Sequence, residues 1–218
     1  MSTDLNSDLK LEEVAKKDSH LFREFLQGSN PEVKTNAIYV LCKLGEEDPL
    51  LVAKFVDILF SLLEDEDEGV RSAAVATLAT LGDSMPDAIQ SGVDKFFKLF
   101  DDNNLNIRRN ASYALALIGE DHPELVGEAV TKLIYYLKNG SDIIKANAAC
   151  SLALFARGNP ALLTSYSKDF IQALDYENDV IITNAIYILG HIGKENIDLV
   201  KDIIPRLIEF LKNDPILK

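Results

Sequence analysis

The sequence contains no tryptophan, two cysteines, two methionines and three histidines. Cys42 and Cys150 stand alone, neither in a Cys-x-x-Cys nor near a histidine. That pattern argues against a disulfide or a zinc site and for buried or half-buried thiols. His20, His122 and His191 have no second histidine or cysteine at ligand spacing, so no metal residues are assigned. Gly-x-Ser-x-Gly, Walker and Gly-x-Gly-x-x-Gly sequences are missing, which leaves acyl transfer and nucleotide chemistry without a motif. The chain is expected to be no enzyme and to need no cofactor. Positive charge is also scarce: 22 bases face 35 acids for a net −13, and residues 1–69 alone hold 16 acids against 7 bases. An acidic chain repels phosphate backbones, so nucleic acid is not an expected partner. No run approaches the roughly 18 apolar residues of a membrane span. The start, Met1-Ser2-Thr3-Asp4, has no apolar signal-peptide stretch. A cytoplasmic protein without membrane insertion is the expectation.

What is present is a repeat. From Val33, steps of 37 residues reach Val70, Ile107, Ile144 and Ile181. Ala37, Ala74, Ala111, Ala148 and Ala185 form a second column, and Leu41, Leu78, Leu115, Leu152 and Leu189 a third. Leu44, Leu81, Ile118, Phe155 and Ile192 form a fourth, with no insertion or deletion in five repeats. Within one repeat these columns fall at i, i+4, i+8 and i+11, one face of a helix, called here helix A. Three residues before each anchor stands a capping residue, Asn30, Asp67, Asn104, Ser141 or Asn178. Gly45, Gly82, Gly119 and Gly193 suit a left-handed C′ stop, while repeat four has its glycine two residues later, at Gly158. Pro49, Pro86, Pro123 and Pro160 then open helix B, with Ile197 behind Asn196 in repeat five. Helix B carries one stripe: Val52, Val56, Leu59, Phe60 and Leu63 in repeat one; Val126, Val130, Leu133, Ile134 and Leu137 in repeat three. The run Glu64–Glu68 closes the first helix B and reads as a solvated loop.

Alternating helices of this kind cannot bury their apolar faces alone and must stack. The expected fold is all-α, a right-handed α-α superhelix of about five 37-residue hairpins with an N-terminal helical cap. Boundaries follow from the period: a cap over 1–29, then repeats over 30–66, 67–103, 104–140, 141–177 and 178–214, with 30–215 forming one continuous domain. In the cap, Phe22 and Leu26 lie one period before Leu59 and Leu63, so 18–27 is expected to be a B helix and 7–17 a shorter helix. Lys218 falls where a sixth anchor would be, which leaves the C-terminal end open.

The residue after the anchor is basic in four repeats, Lys34, Arg71, Arg108 and Lys145, with Ile182 as the exception. With the polar caps, the alanine column and the Leu and Ile-Gly positions, this resembles the HEAT repeat. The closest match is Asp67-Glu68-Gly69-Val70-Arg71-Ser72-Ala73-Ala74. The resemblance covers about residues 18–215. Armadillo repeats are similar in hydrophobic pattern, but the column Lys43, Thr80, Leu117, Leu154, His191 lacks their asparagine ladder. Metal-binding HEAT hydroxylases imply a His-Glu pair, tubulin-binding arrays a tryptophan and DNA-repair members a basic groove, none of which is present.

The resemblance implies a noncatalytic scaffold that binds a protein or peptide on a curved surface. A chaperone-lyase-like accessory factor acting on a cofactor-bearing partner is the second reading. Self-assembly, as a homo-oligomer through the open C-terminal end, is the third. B helices line the concave side of helical solenoids. There, Asp94, Lys98, Thr131, Tyr135, Lys168 and Gln172 are candidate contacts, with Tyr135 preferred because tyrosine is enriched at hot spots. On the outer face of helix A, Tyr113, Leu117, Leu154 and Tyr187 are expected to form an exposed apolar patch. Asn36, Asn110, Asn147 and Asn184 form a column beside the apolar stripe and are expected to be half-buried structural amides.

Overall fold

Cap chemistry and a constant period set the helices. The computed structural model describes residues 5–213, and every regular element among them is helical. The chain divides into two compact lobes, residues 1–118 and 119–218. In chain order the helices are α1 (Leu5–Lys17), α2 (Ser19–Gln27), α3 (Pro31–Glu47), α4 (Pro49–Ala53), α5 (Val56–Leu62), α6 (Glu68–Ser84), α7 (Pro86–Ile89) and α8 (Val93–Lys98). There follow α9 (Leu105–Asp121), which contains the lobe boundary, α10 (Gly127–Asn139), α11 (Asp142–Gly158), α12 (Ser167–Ala173), α13 (Asp179–Glu195) and α14 (Ile204–Asn213). Residues 1–4 and 214–218 lie outside the described residues, and with them the outer limits of the expected cap and fifth repeat.

The five A helices, α3, α6, α9, α11 and α13, are each 17 residues long, and each starts 37 residues after the last. Asn30, Asp67, Asn104 and Asn178 accept from first-turn N–H groups at 2.8 to 3.4 Å, as in Asn104 Oδ1 with Asn106 N at 2.8 Å. Ser141 departs: it occupies the cap position but makes no side-chain cap bond. The alanine, leucine and Leu44-type columns are buried throughout. The anchors Val70, Ile107 and Ile181 are buried too, whereas Val33 and Ile144 are exposed at 38% and 44%.

The glycine column does something other than stop a helix. Each A helix continues two residues past it, and no described residue, glycine included, has a positive φ. The helices end instead at Asp48, Met85, Asn159 and Asn196, whose N–H groups reach back four residues at 2.7 to 2.8 Å. The glycines mark the crossing of helix A with the start of helix B. A Cβ on Gly82 would stand 2.5 Å from Ile89 Cδ1, on Gly119 2.9 Å from Val126 Cγ2, and on Gly193 2.8 Å from Val200 Cγ2. Repeat four has Ala156 at this position and carries a Cβ there, and Gly45 in repeat one has room for one, so the tight crossing belongs to repeats two, three and five.

Helix B is not continuous from its proline. A short segment comes first, α4, α7 or a 3-10 turn such as Pro123–Leu125 or Pro160–Tyr166, and the main helix follows. At the equivalent positions Phe55, Gly92 and Tyr166 the backbone has φ of −111°, −93° and −102° with ψ of 5°, 5° and 10°. That sparsely used bridge conformation ends one segment and redirects the next.

The opposite edge, where helix B returns to helix A, is tied by charge in the first lobe. Lys34 Nζ meets Asp65 Oδ2 at 2.5 Å and Arg71 Nε meets Asp102 Oδ2 at 3.0 Å, each pair 31 residues apart. Arg71 also donates to the Asp65 and Glu66 carbonyls at 2.9 and 3.0 Å, and Arg108 to those of Asp102 and Asn103 at 2.6 and 3.0 Å. The run Glu64–Glu68 is therefore not a merely solvated loop. Asp65 is half-buried in an ion pair, Asp67 caps α6, and Glu68 accepts from Asn104 Nδ2 at 2.6 Å. Burial alone would raise the Asp65 carboxyl pKa. The Lys34 hydrogen bond, the Asp67 N–H and the charges of Lys34 and Arg71 outweigh it and hold that pKa below 3.8.

Two measurements check these contacts. A Cβ on Gly45 meets only Thr80 Cγ2, at 3.6 Å. Gly45→Ala should therefore raise stability by up to about 1 kcal/mol through helix propensity. Gly82→Ala should lower it by about 1–2 kcal/mol through overpacking, and thermal melts of the two variants read the opposite signs. Because Asp65 has a depressed folded pKa, its contribution is present above the unfolded value of 3.8 and is lost as pH falls through the folded one. Acid titration should show a steeper loss of stability below about pH 4 for the native chain than for Asp65→Asn.

Candidate interaction surface

The polar columns of helix B are exposed in both lobes. In the first, Asp94 and Lys98 sit one turn apart on α8, and Lys98 Nζ lies 3.8 Å from Glu64 Oε1, which also accepts from Lys95 at 3.3 Å. Asp57, one repeat before Asp94, is occupied by Arg23 through two 2.9 Å bonds. The Arg23 hydrogen bond holds its carboxyl pKa below the ordinary value.

In the second lobe, Thr131 and Tyr135 on α10 and Lys168 and Gln172 on α12 are all exposed. Tyr135 is 62% exposed, with its ring centroid 6.2 Å from that of Tyr136. Lys132 Nζ lies 5.4 Å over the Tyr136 ring. Thr131 Oγ1 donates to Gly127 O at 2.9 Å and lies 3.2 Å from Tyr166 Oη. Lys138 bridges to Asp169 at 2.6 Å, and the Asp169 hydrogen bond raises the Lys138 pKa. Tyr166 therefore belongs to this surface, although its column otherwise holds Phe55, Gly92, Ala129 and Ile203 and carries no sign of a polar role. Thr131, Tyr135, Lys168 and Gln172 all lie in the second lobe, with fixed partners around an exposed tyrosine.

The outer face of helix A is corrected. Leu117 is buried, 9% exposed, because it lies over Gly82 of the preceding A helix, where a Cβ would approach its Cδ1 to 3.2 Å. Tyr113 is half-buried and its hydroxyl donates to Asp83 Oδ1. Leu154 is half-buried. Tyr187 is exposed and packs its ring 4.5 Å from His191. These four residues thus supply no exposed apolar patch in either lobe. Cys150 is exposed rather than buried, while Cys42 is half-buried beside Thr80 at 3.8 Å.

The asparagine column is mixed. Asn184 Nδ2 donates to Val180 O of its own helix at 2.8 Å and lies 3.5 Å from Cys150 Sγ of α11. Asn110 and Asn147 are half-buried, but Asn36 is exposed, contrary to expectation. Among the described residues no three His, Cys, Asp or Glu side chains converge as a metal site would need, and no helix is long and apolar enough to cross a membrane.

Burial, and then the nearby Lys194 charge, depress the His191 pKa below 6.5. A depressed histidine pKa means that the unfolded state takes up the proton first, so stability present above 6.5 is lost as pH falls through the folded value. His191→Gln should flatten the fall in melting temperature between about pH 7 and pH 5, measured by circular dichroism.

Comparison with known proteins agrees with the repeat architecture. The family model described as the adaptin N-terminal region matches residues 19–139, more than half of the chain. No curated protein sequence matches it. An engineered protein from the Northeast Structural Genomics Consortium is similar with a TM-score of 0.66 at 19% identity, over 94% of this chain and 90% of that one. An archaeal HEAT-like repeats protein from Thermococcus onnurineus NA1 gives 0.64 at 16% identity, over 96% and 87%. A designed armadillo repeat protein gives 0.58 at 20% identity, over 88% and 95%. At these identities the structural likeness concerns the fold, an all-α repeat solenoid. Capped 17-residue helices, a constant period and the family match lead to one assignment: the chain belongs to the adaptin N-terminal region family and is built of HEAT-like repeats.

Proposed function

We propose that the chain is a noncatalytic scaffold that binds a protein or peptide through the exposed face of α10 and α12, centred on Tyr135. The observation that carries this reading is Tyr135 itself, a large side chain 62% exposed on a rigid helix where a solvated polar residue would serve the fold equally well. Tyrosine gives much contact area for little lost rotamer freedom. Around it, Thr131, Lys138 and Tyr166 already have intramolecular partners, so little side-chain ordering is left to be done on binding. Lys168 and Gln172 are exposed one repeat further on and extend the contact along the helix array. Asp94 and Lys98 offer the corresponding positions of the first lobe.

Affinity capture from the native cell, compared between the wild-type chain and Tyr135→Ala, tests this. The variant should lose at least one captured protein, with affinity reduced about thirtyfold or more, as expected for removal of a hot spot. Its melting temperature should not move, because the ring is exposed. An unchanged capture profile removes Tyr135 from the interface.

A further inference from the structure

We propose that the B-to-A edge of the second lobe, at the first turns of α11 and α13, docks a basic peptide segment that also carries aliphatic side chains. This edge differs from its counterpart in the first lobe. The residue before the anchor is Glu32, Gly69 and Asn106 in the first three repeats, but Ile143 and Val180 in the last two. Ile143 is 72% exposed and Val180 47%, at equivalent positions on two adjacent A helices, and the anchor Ile144 is exposed beside them. Nothing in the repeat requires aliphatic residues there, since three repeats manage without them.

Next to these side chains lies a cavity of about 490 Å³ between the start of α11 and the turn leading into α13. Tyr176 and Ile181 supply its apolar wall, Asp142, Asp175 and Glu177 its acidic one, and Lys145 also lines it, so the carboxylates outnumber the single cation. The aromatic wall is fixed: Lys145 Nζ stands 4.6 Å over the Tyr176 ring, and Tyr176 Oη donates to Leu137 O at 3.4 Å. Asp175 is held by Arg206 at 2.6 Å. Asp142, Glu177 and Asp179 make no ion pair among the described residues. The surface therefore offers aliphatic contact, rimmed by carboxylates whose charge is not yet matched.

The chemistry of the occupant follows from that pairing. Aliphatic side chains of a partner remove Ile143 and Val180 from water, and its Lys or Arg groups meet the carboxylates of Asp142, Glu177 and Asp179, the Tyr176 face being taken by Lys145. Residues 119–218 hold 14 acids against 10 bases, a balance that favours a basic segment over an acidic one. The same balance disfavours an anionic lipid surface.

Fluorescence anisotropy with a fluorescein-labelled peptide of alternating arginine and leucine tests the proposal. Saturable binding is expected. Both Asp142→Asn/Glu177→Gln and Ile143→Ser/Val180→Ser should weaken it about tenfold or more. Glu46→Gln/Glu47→Gln removes equal charge from the first lobe and should leave the affinity unchanged, as should Tyr135→Ala, so this proposal stands or falls separately from the Tyr135 surface. All substituted side chains are exposed, and circular dichroism melts confirm that each variant folds. Equal weakening by the Glu46/Glu47 control, no weakening by either edge variant, or equally tight binding of the glutamate–leucine counterpart peptide would overturn the proposal. A dimer of the free chain in sedimentation velocity that Ile143→Ser/Val180→Ser dissociates would assign the face to a second copy instead. Binding to phosphatidylserine vesicles in preference to the peptide would assign it to a membrane surface.

Discussion

In repeats two, three and five helix A and the start of helix B cross so closely that no room is left for a Cβ at Gly82, Gly119 or Gly193. At Gly82, Gly119 and Gly193 the facing atom belongs to a buried or nearly buried aliphatic residue, Ile89, Val126 or Val200. The A helix runs on for two further residues past the crossing before the chain turns, and α3 and α11 keep the same 17 residues although Gly45 has room for a Cβ and Ala156 carries one. The turn then needs one non-helical residue and a segment that starts abruptly, for which proline is pre-set. Helix B must bend after that segment so that its remaining stripe can meet the rest of the core. The same lack of side-chain volume at Gly82 lets Leu117 settle against it, which removes Leu117 from the surface.

At the other edge the first lobe is held by alternating charge. Each basic residue after an anchor reaches a carboxylate 31 residues on, carbonyls of the preceding turn, or both. Of the acids in residues 1–69, Asp65 belongs to this ladder and Asp67 caps α6. In the second lobe the same offset pairs Lys145 with the Tyr176 ring instead of a carboxylate, and Ile182 replaces the next basic residue. Where the ladder changes partner, carboxylates and aliphatic side chains remain available to something outside the chain.

The helices and their starts were legible because a 37-residue period and side-chain caps are local properties that a sequence displays directly. The exposure of Tyr135, Lys168 and Gln172 was legible for the same reason, since a column two or three positions off the apolar stripe must face away from it. The glycines were legible as important but not as to why. A glycine near a helix end serves a left-handed stop or a close crossing equally well, and only the opposing atom distinguishes them. Leu117 was misplaced because its burial depends on Gly82, 35 residues away. The break in helix B left no trace, as the apolar period continues through Phe55 and Tyr166 while the backbone does not. Tyr166 was missed as a surface residue for the same reason.

Equal repeat length has a mechanical consequence. Each A helix and its returning B helix make their contacts mainly with neighbours in sequence, so a chain drawn out from its ends can yield in increments of one repeat. Thirty-seven residues released at about 3.5 Å each lengthen the chain by roughly 130 Å. Every such event would add the same contour length, whatever its place in the array. In such an extension the force at each step, and not its size, would record how well a given crossing and its flanking ion pairs are made.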